Sequence, residues 1–248
     1  MLDFSRKLTP ASALKYAGWK ILRGTKPLNL SLRSGGRFIL RRDQTSNKDY
    51  GVAYEVFVHE HYAAHADLPR KDVKFIVDLG ANVGFATVYF LNSFPDAEIV
   101  AYEPHPEHFR QALLNIERNK AVDRVTLHNQ AAGVRQCSLH LSNKGTSSTL
   151  GRAGEVSSGF EVEVVDLFAA LEKRRIDLFK MDIEGGEYEI LADPRFRELD
   201  IGAMVLEWHS RGGGHADKEW CEAQLRDMGF RVSSIFTESS HGMLWALR

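Results

Sequence analysis

From Lys74 onward, short apolar runs alternate with stretches whose apolar residues recur at helical spacing, the pattern of a sheet built from strand, helix and strand units. Val73–Asp78, Glu98–Tyr102, Arg124–His128, Asp177–Asp182 and Ala203–Glu207 read as strands. Gly84–Asn92, Pro106 to Asn119, a segment beginning near Glu187 and Asp217–Met228 read as helices, and Pro106 suits a first helical turn. Arg231–Phe236 and Met243–Leu247 are joined by a polar turn too short for a crossover helix, so they predict an antiparallel hairpin closing a mostly parallel sheet. An α/β fold follows. Residues 133 to 165 interrupt it: Cys137–Leu141 and Phe160–Val165 flank a Gly/Ser/Thr-rich stretch with Thr146, Ser147, Ser148 and Thr149, which predicts a β insertion carrying a mobile loop.

Ahead of this, Leu28–Leu32 and Arg37–Leu40 flank the turn signal Ser34-Gly35-Gly36 and predict a hairpin. Residues 50 to 64, with Val52, Val56, Phe57 and Tyr62 at helical spacing, predict a helix leading to the first strand of the alternating region. No repeat or linker divides the chain, and 248 residues with 44% hydrophobic content fit one α/β domain, residues 49–248, preceded by an arm over 1–48 with a short helix and the hairpin.

Charge changes the picture of that arm. The whole chain is near neutral at −1, yet residues 1–48 carry Arg6, Lys7, Lys15, Lys20, Arg23, Lys26, Arg33, Arg37, Arg41, Arg42 and Lys48 against Asp3 and Asp43 alone. Such a face suits an anionic partner such as lipid headgroups, a phosphorylated carrier or nucleic acid, with Leu14, Ala17, Trp19, Ile21 and Leu22 supplying an interfacial helix. The plainer reading is a solvated helix face. No segment approaches the roughly 18 apolar residues of a membrane span, and residues 1–24 lack the continuous apolar core of a secretion signal. Cys137 and Cys221 are isolated, which argues against a disulfide framework or a zinc site and favours a reducing, cytoplasmic setting.

The chemistry concentrates in three runs. In Phe75-Ile76-Val77-Asp78-Leu79-Gly80-Ala81-Asn82-Val83-Gly84-Phe85 an apolar strand stops at an acid and a Gly-x-x-x-Gly loop before a helix, the place where parallel α/β sheets bind nucleotide-like cofactors. Gly80, Asn82 and Gly84 give a ligand close access to backbone, a side chain at 80 is expected to fill ligand space, and Asp78 can orient the loop or a bound amino group. Glu103, in Tyr102-Glu103-Pro104, ends the next strand about 20 residues on, where a carboxylate accepts hydrogen bonds from a ribose diol. In Lys180-Met181-Asp182-Ile183-Glu184-Gly185-Gly186-Glu187, a buried strand releases an acid-rich turn into a helix, and Asp182 and Glu184 share one side of the strand end.

With these three motifs in order, the chain resembles the FkbM family of S-adenosylmethionine-dependent methyltransferases over roughly residues 45–210. The resemblance implies a class I methyltransferase (Rossmann-like) seven-stranded sheet, ordered 3-2-1-4-5-7-6 with strand 7 antiparallel, and methyl transfer to a hydroxyl of a sugar, glycan or polyketide-like small molecule. Carried over by position, Asp78, Gly80, Asn82 and Gly84 border the methionine part of the cofactor, Glu103 holds the ribose, and Gln130 and Ala131 meet the adenine. Asp182 and Glu184 lie near the sulfonium and the acceptor, and Glu60 and Tyr62 match an upstream Glu-Tyr. The loop carries no lysine, arginine or third glycine for a pyrophosphate, which favours S-adenosylmethionine over a dinucleotide.

A hydroxyl acceptor needs a proton acceptor or an acidifying metal. Candidates are Asp182, Glu184 and the pair Glu207 and His209 at the end of the following strand, with His209 the natural base near neutral pH. A divalent ion on Asp182, Glu184 and His209 is not favoured. Trp208 and Tyr188 read as core or rim, and His59, His61, His65, His105 and His108 lack ligand spacing. The competing readings are an NAD-dependent oxidoreductase, a nucleic-acid methyltransferase using the basic arm and a non-catalytic binding protein on the same fold; the second is weakened by the lack of an Asn/Asp-Pro-Pro-Tyr/Phe run or an RNA-binding module.

Overall fold

The computed structural model describes residues 2–22, 26–41, 48–63, 68, 70–142, 150–151, 159–171 and 173–248. The chain opens with helices α1 (Leu2–Lys7) and α2 (Pro10–Ile21), a hairpin of β1 (Leu28–Ser31) and β2 (Arg37–Leu40), and helix α3 (Lys48–Phe57). Then come β3 (Phe75–Leu79), α4 (Phe85–Ser93), β4 (Glu98–Tyr102), α5 (Pro106–Arg118) and β5 (Val125–His128). An inserted sheet uses β6 (Ala131–Gly133), β7 (Cys137–Ser142), β8 (Leu150–Gly151) and β9 (Gly159–Asp166), and is followed by α6 (Leu167–Ala170). The winding resumes with β10 (Ile176–Met181), α7 (Glu187–Ala192), β11 (Ile201–His209) and α8 (His215–Asp227), and ends in β12 (Arg231–Thr237) and β13 (His241–Leu247). The loop residues Thr146, Ser147, Ser148 and Thr149, and His65, lie outside the described residues.

The main sheet has the order β12-β13-β11-β10-β3-β4-β5. Counted from the β5 edge along its own seven strands, this is 3-2-1-4-5-7-6, the class I methyltransferase order. Neighbours from β5 to β11 pair in parallel, and β13 slots antiparallel between β11 and β12. All five residues of β3 are buried, including Asp78, because helices cover both faces of a central parallel strand. The carboxyl ends of β3, β4, β10 and β11 therefore open on one edge, and the loops that follow them build the site.

The arm is built into the core. Phe4, Leu8, Tyr16, Leu30 and Phe38 are buried in the same apolar cluster as Ile76, Phe85, Phe90 and Trp245. Asn115 on α5 bonds it down, accepting from the Ile39 N–H at 2.8 Å and donating to the Val83 carbonyl at 2.7 Å. Three features depart from the sequence expectation. Helix α3 stops at Phe57, short of residue 64, because the Tyr54 carbonyl accepts from both Val58 and His59 and Glu60 turns to a φ of 54°. Strand β11 runs on to His209, paired opposite His241, so Glu207 and His209 stand on a rigid element. Helix α1 and strand β6 had no sequence signature of their own. No helix among the described residues is long and apolar enough to cross a membrane.

Candidate active site

The loop after β3 is shaped by its own protein contacts. The N–H groups of Gly80 and Ala81 both donate to the Tyr102 carbonyl at 3.0 and 2.9 Å, and the Asn82 N–H donates to Glu103 at 2.7 Å. The other Glu103 oxygen accepts from the His105 N–H at 2.8 Å. Glu103 is 6% exposed, and burial pushes its carboxyl up to about 7 against the pull of these backbone donors. Each of its oxygens keeps a lone pair for a ligand.

Glycines 80 and 84 serve packing. At Gly80, with φ +77°, a Cβ would stand 1.8 Å from the Asp182 carbonyl oxygen, so the position is closed by the end of β10 and not by a ligand. At Gly84, with φ +80°, a Cβ would meet the Ala112 backbone on α5 at 3.0 Å. Asp78 is likewise buried beneath the loop, accepting from Thr87 Oγ1 at 2.8 Å and pairing with Lys180 Nζ at 3.1 Å. Asp78 and Gly84 support the site from below, where the sequence reading places them against the cofactor, whereas Gly80 packs on Asp182 and also lines the cavities above.

Lys180, to which the sequence reading gave no role, is 1% exposed and ties three elements together. Its ammonium donates to the Leu79 carbonyl at 3.1 Å and to the Gly80 carbonyl, and sits 3.7 Å from Asp182. Burial would lower its pKa, but Asp78 and then Asp182 hold it raised, so it stays charged. The loop has no cation of its own because β10 supplies one from beneath.

Two adjoining cavities meet at Gly80, Asn82, Asp182 and Glu184. The first runs past Tyr102, Glu103, Pro104 and His108 to Ala131, Ala132 and Leu141. The second, about 330 Å³, lies between α3 and the sheet edge, lined by Glu55, His61, Tyr62, Lys180 and Glu207. The side-chain oxygen of Asn82 in their shared wall is buried with no hydrogen-bond partner among the described residues, which fits a donor on a bound ligand. Tyr62 donates to Asp182 at 3.3 Å and so borders the second cavity. Gln130 turns away to Glu163 at 3.0 Å, leaving Ala131 and Ala132 as the wall. Glu60 pairs with Lys7 on the exposed surface.

Behind the second cavity stands a chain of carboxylates around His209. Its Nδ1 lies 3.0 Å from Glu187, and its Nε2 lies 3.6 Å from Glu184 and 3.9 Å from Glu207. Glu187 is fully buried and fixed by the N–H groups of Ile183 and Gly185 at 3.0 and 2.8 Å, so the turn after β10 orients the imidazole. Burial alone would lower His209; the Glu187 hydrogen bond and the charges of Asp182, Glu187 and Glu184 outweigh it and hold the ring at about 9. His209 is thus protonated at neutral pH, a correction to its reading as a base poised near 7. Glu207, which lines the cavity, is pushed well above the carboxylate range by burial and then by Asp182. Glu55 is raised to about 6 by burial, then by Asp182 and Glu238.

Asp182, Glu207 and His209 bring one ligand atom each within 4.8 Å of one another, the spacing of a divalent-ion site. Trp208 is fully buried core, and Tyr188 donates to the His209 carbonyl at 2.7 Å, steadying the strand end. His105 caps α5 and stacks on His108 at 4.2 Å. Glu187 and Glu55 went unassigned in the sequence; a fully buried glutamate in the first turn of α7 is visible only in three dimensions.

Residues 78–232 match the Methyltransferase FkbM domain family. Methyltransferase sdnD of Sordaria araneosa is 27% identical over 217 residues, 73% of this chain and 82% of that protein. The 31-O-demethyl-FK506 methyltransferase FkbM of Streptomyces tacrolimicus is 27% identical over 218 residues, 72% of this chain and 80% of its own. Among solved structures, a methyltransferase FkbM from Methylobacillus flagellatus superposes with a TM-score of 0.56 at 14% identity; the match covers 95% of this chain and 60% of that one. The magnesium protoporphyrin IX methyltransferase of Synechocystis, with bound S-adenosylmethionine, superposes with a TM-score of 0.51 at 15% identity over 84% of this chain and 85% of its own. The structural likenesses establish the shared fold.

Proposed function

Since this chain belongs to the FkbM family of S-adenosylmethionine-dependent methyltransferases, we propose that it methylates a hydroxyl oxygen on a sugar, glycan or polyketide-like small molecule. The carrying observation is the pair of cavities meeting at Asp182 and Glu184, one walled by a ribose-type carboxylate and the other by a proton-accepting edge. Bound there, the cofactor supplies an electrophilic methyl group on a sulfonium. Glu103 would hold the ribose diol, Ala131 and Ala132 would face the adenine, and Asp182 and Glu184 suit the positive sulfonium side. The second cavity positions the acceptor, which supplies much of the rate in a displacement. In the fraction of molecules in which Glu207 is ionised and His209 neutral, a fraction that grows with pH, Glu207 lining that cavity takes up the hydroxyl proton as the new bond forms and passes it to His209 behind it, while Glu187 holds the ring in place.

The Streptomyces tacrolimicus relative acts on a 31-O-demethyl substrate, which supports oxygen as the acceptor atom. A divalent ion is not favoured, because the Lys180 ammonium already sits 3.7 Å from Asp182. The test supplies S-adenosylmethionine with demethylated sugars and polyketides and their amino analogues, reads S-adenosylhomocysteine release, and locates the new methyl by NMR. A methoxy product on a hydroxylated acceptor is expected. Methylation at nitrogen or carbon would overturn the proposal.

A further inference from the structure

Helix α2 is apolar on both faces, which does not suit a helix whose outer side meets only water. Tyr16 turns inward to the core with Ala13 and Trp19 packed beside it, yet the outward positions Leu14, Ala17 and Ile21, at spacings of three and four, are apolar too. Leu14, Ile21 and the adjoining Leu22 are 77%, 80% and 80% exposed, the three most exposed large hydrophobics among the described residues. An apolar stripe of this kind on a surface helix marks a contact with something less polar than water.

Charge tells what that something is. Lys15 bounds the stripe and Lys26 follows it, Lys20 turns its ammonium over the Tyr16 and Tyr50 rings at 5.6 and 5.3 Å, and α2 carries no acid in its first turn. The only acids in residues 1–48 are Asp3 and Asp43. A second copy of the chain would bring the same cations against these, whereas an anionic bilayer offers phosphates to the lysines and acyl chains to the leucines and isoleucine. Trp19 stands at the helix flank, its indole donating to the Lys26 carbonyl at 2.9 Å, which fixes the approach of the basic segment to the helix.

We propose that α2 docks the protein on the surface of an anionic lipid bilayer, lying in the interface plane. Tyr16 of α2 stacks on Tyr50 of α3 at 6.2 Å, and the next residues of α3, Gly51, Val52 and Glu55, line the second cavity, so one helix separates the docked face from that cavity.

Deleting the arm would remove Phe4, Leu8 and Tyr16 from the core, so the test uses point changes on exposed positions in the full chain. Vesicles of phosphatidylcholine alone and of phosphatidylcholine mixed with phosphatidylglycerol are sedimented with wild type, L14E/I21E and K15E/K26E, alongside S-adenosylmethionine titration as a control for folding. Wild type is expected to bind the anionic vesicles and release them as salt rises, with each double variant at least about tenfold weaker and cofactor affinity unchanged. Equal binding by wild type and both variants, or no binding by wild type, would overturn the proposal. So would a dimer seen by sedimentation velocity that L14E/I21E dissociates in the absence of vesicle binding, since the stripe would then be a self-association face.

Discussion

His209→Ala is expected to lower turnover about 10²- to 10⁴-fold, the range for removing a positioned proton acceptor, while S-adenosylmethionine affinity stays close to wild type. The pH dependence carries the signature of the site. Because Glu187, Asp182 and Glu184 hold the His209 ring at about 9, its neutral form is a small fraction at pH 7 and grows roughly tenfold per pH unit. The wild-type rate should therefore climb through neutrality and level near pH 9, well above the ordinary histidine range. Glu187→Gln removes the negative charge behind that hydrogen bond, so its profile should level at lower pH. The same shift acts on stability. His209 is raised on folding, so its contribution is fully present below about 6.5 and is lost as pH rises through about 9. EDTA should leave the rate unchanged. A wild-type rate in His209→Ala, or abolition by EDTA with rescue by Mg²⁺, would remove the histidine from the proton path.

Gly80→Ala is expected to destabilise the protein by about 2–6 kcal/mol, combining left-handed backbone strain with an overpacked contact. That is a large share of the about 5–15 kcal/mol that holds a typical domain together. The cause is local: a single methyl at this position would overlap the Asp182 carbonyl oxygen, 1.8 Å away, so either the cofactor loop or the end of β10 must move. Chemical denaturation measures the loss. Stability within about 1 kcal/mol of wild type, with only cofactor binding impaired, would restore the reading in which glycine makes room for the ligand.

The order of the seven strands was legible through the family resemblance, which the chemically marked turns after three of those strands carry. Asp78 through Gly84, Glu103-Pro104 and Asp182 through Glu187 sit at the carboxyl ends of β3, β4 and β10, and the terminal apolar runs are too close for a crossover. What each marked residue touches was less legible. Spacing places Asp78 and Gly84 beside the ligand, but burial under Thr87 and Lys180, and the approach of Ala112, assign them to support. Lys180 is unremarkable in an apolar strand, since a sequence shows neither its four carbonyl and carboxylate partners nor the cross-strand origin of three of them. Glu187 and Glu55 belong to helices that meet the site only after the sheet folds, and the proton affinity of His209 depends on carboxylates from both β10 and α7. Pattern fixes the frame of such a site; proximity across strands sets its electrostatics.

The division of labour between a cofactor-holding carboxylate and a proton-accepting edge is tested most directly by calorimetric titration of S-adenosylmethionine into wild type, Glu103→Ala and His209→Ala at one pH above 8, where the Glu103 carboxylate is ionised. Wild type and His209→Ala should bind with similar affinity, and Glu103→Ala should lose about 1–3 kcal/mol, the span of hydrogen bonds to a charged group. Unchanged affinity in a folded Glu103→Ala protein, or no binding by wild type, would contradict the placement of the cofactor at the ends of β3 and β4.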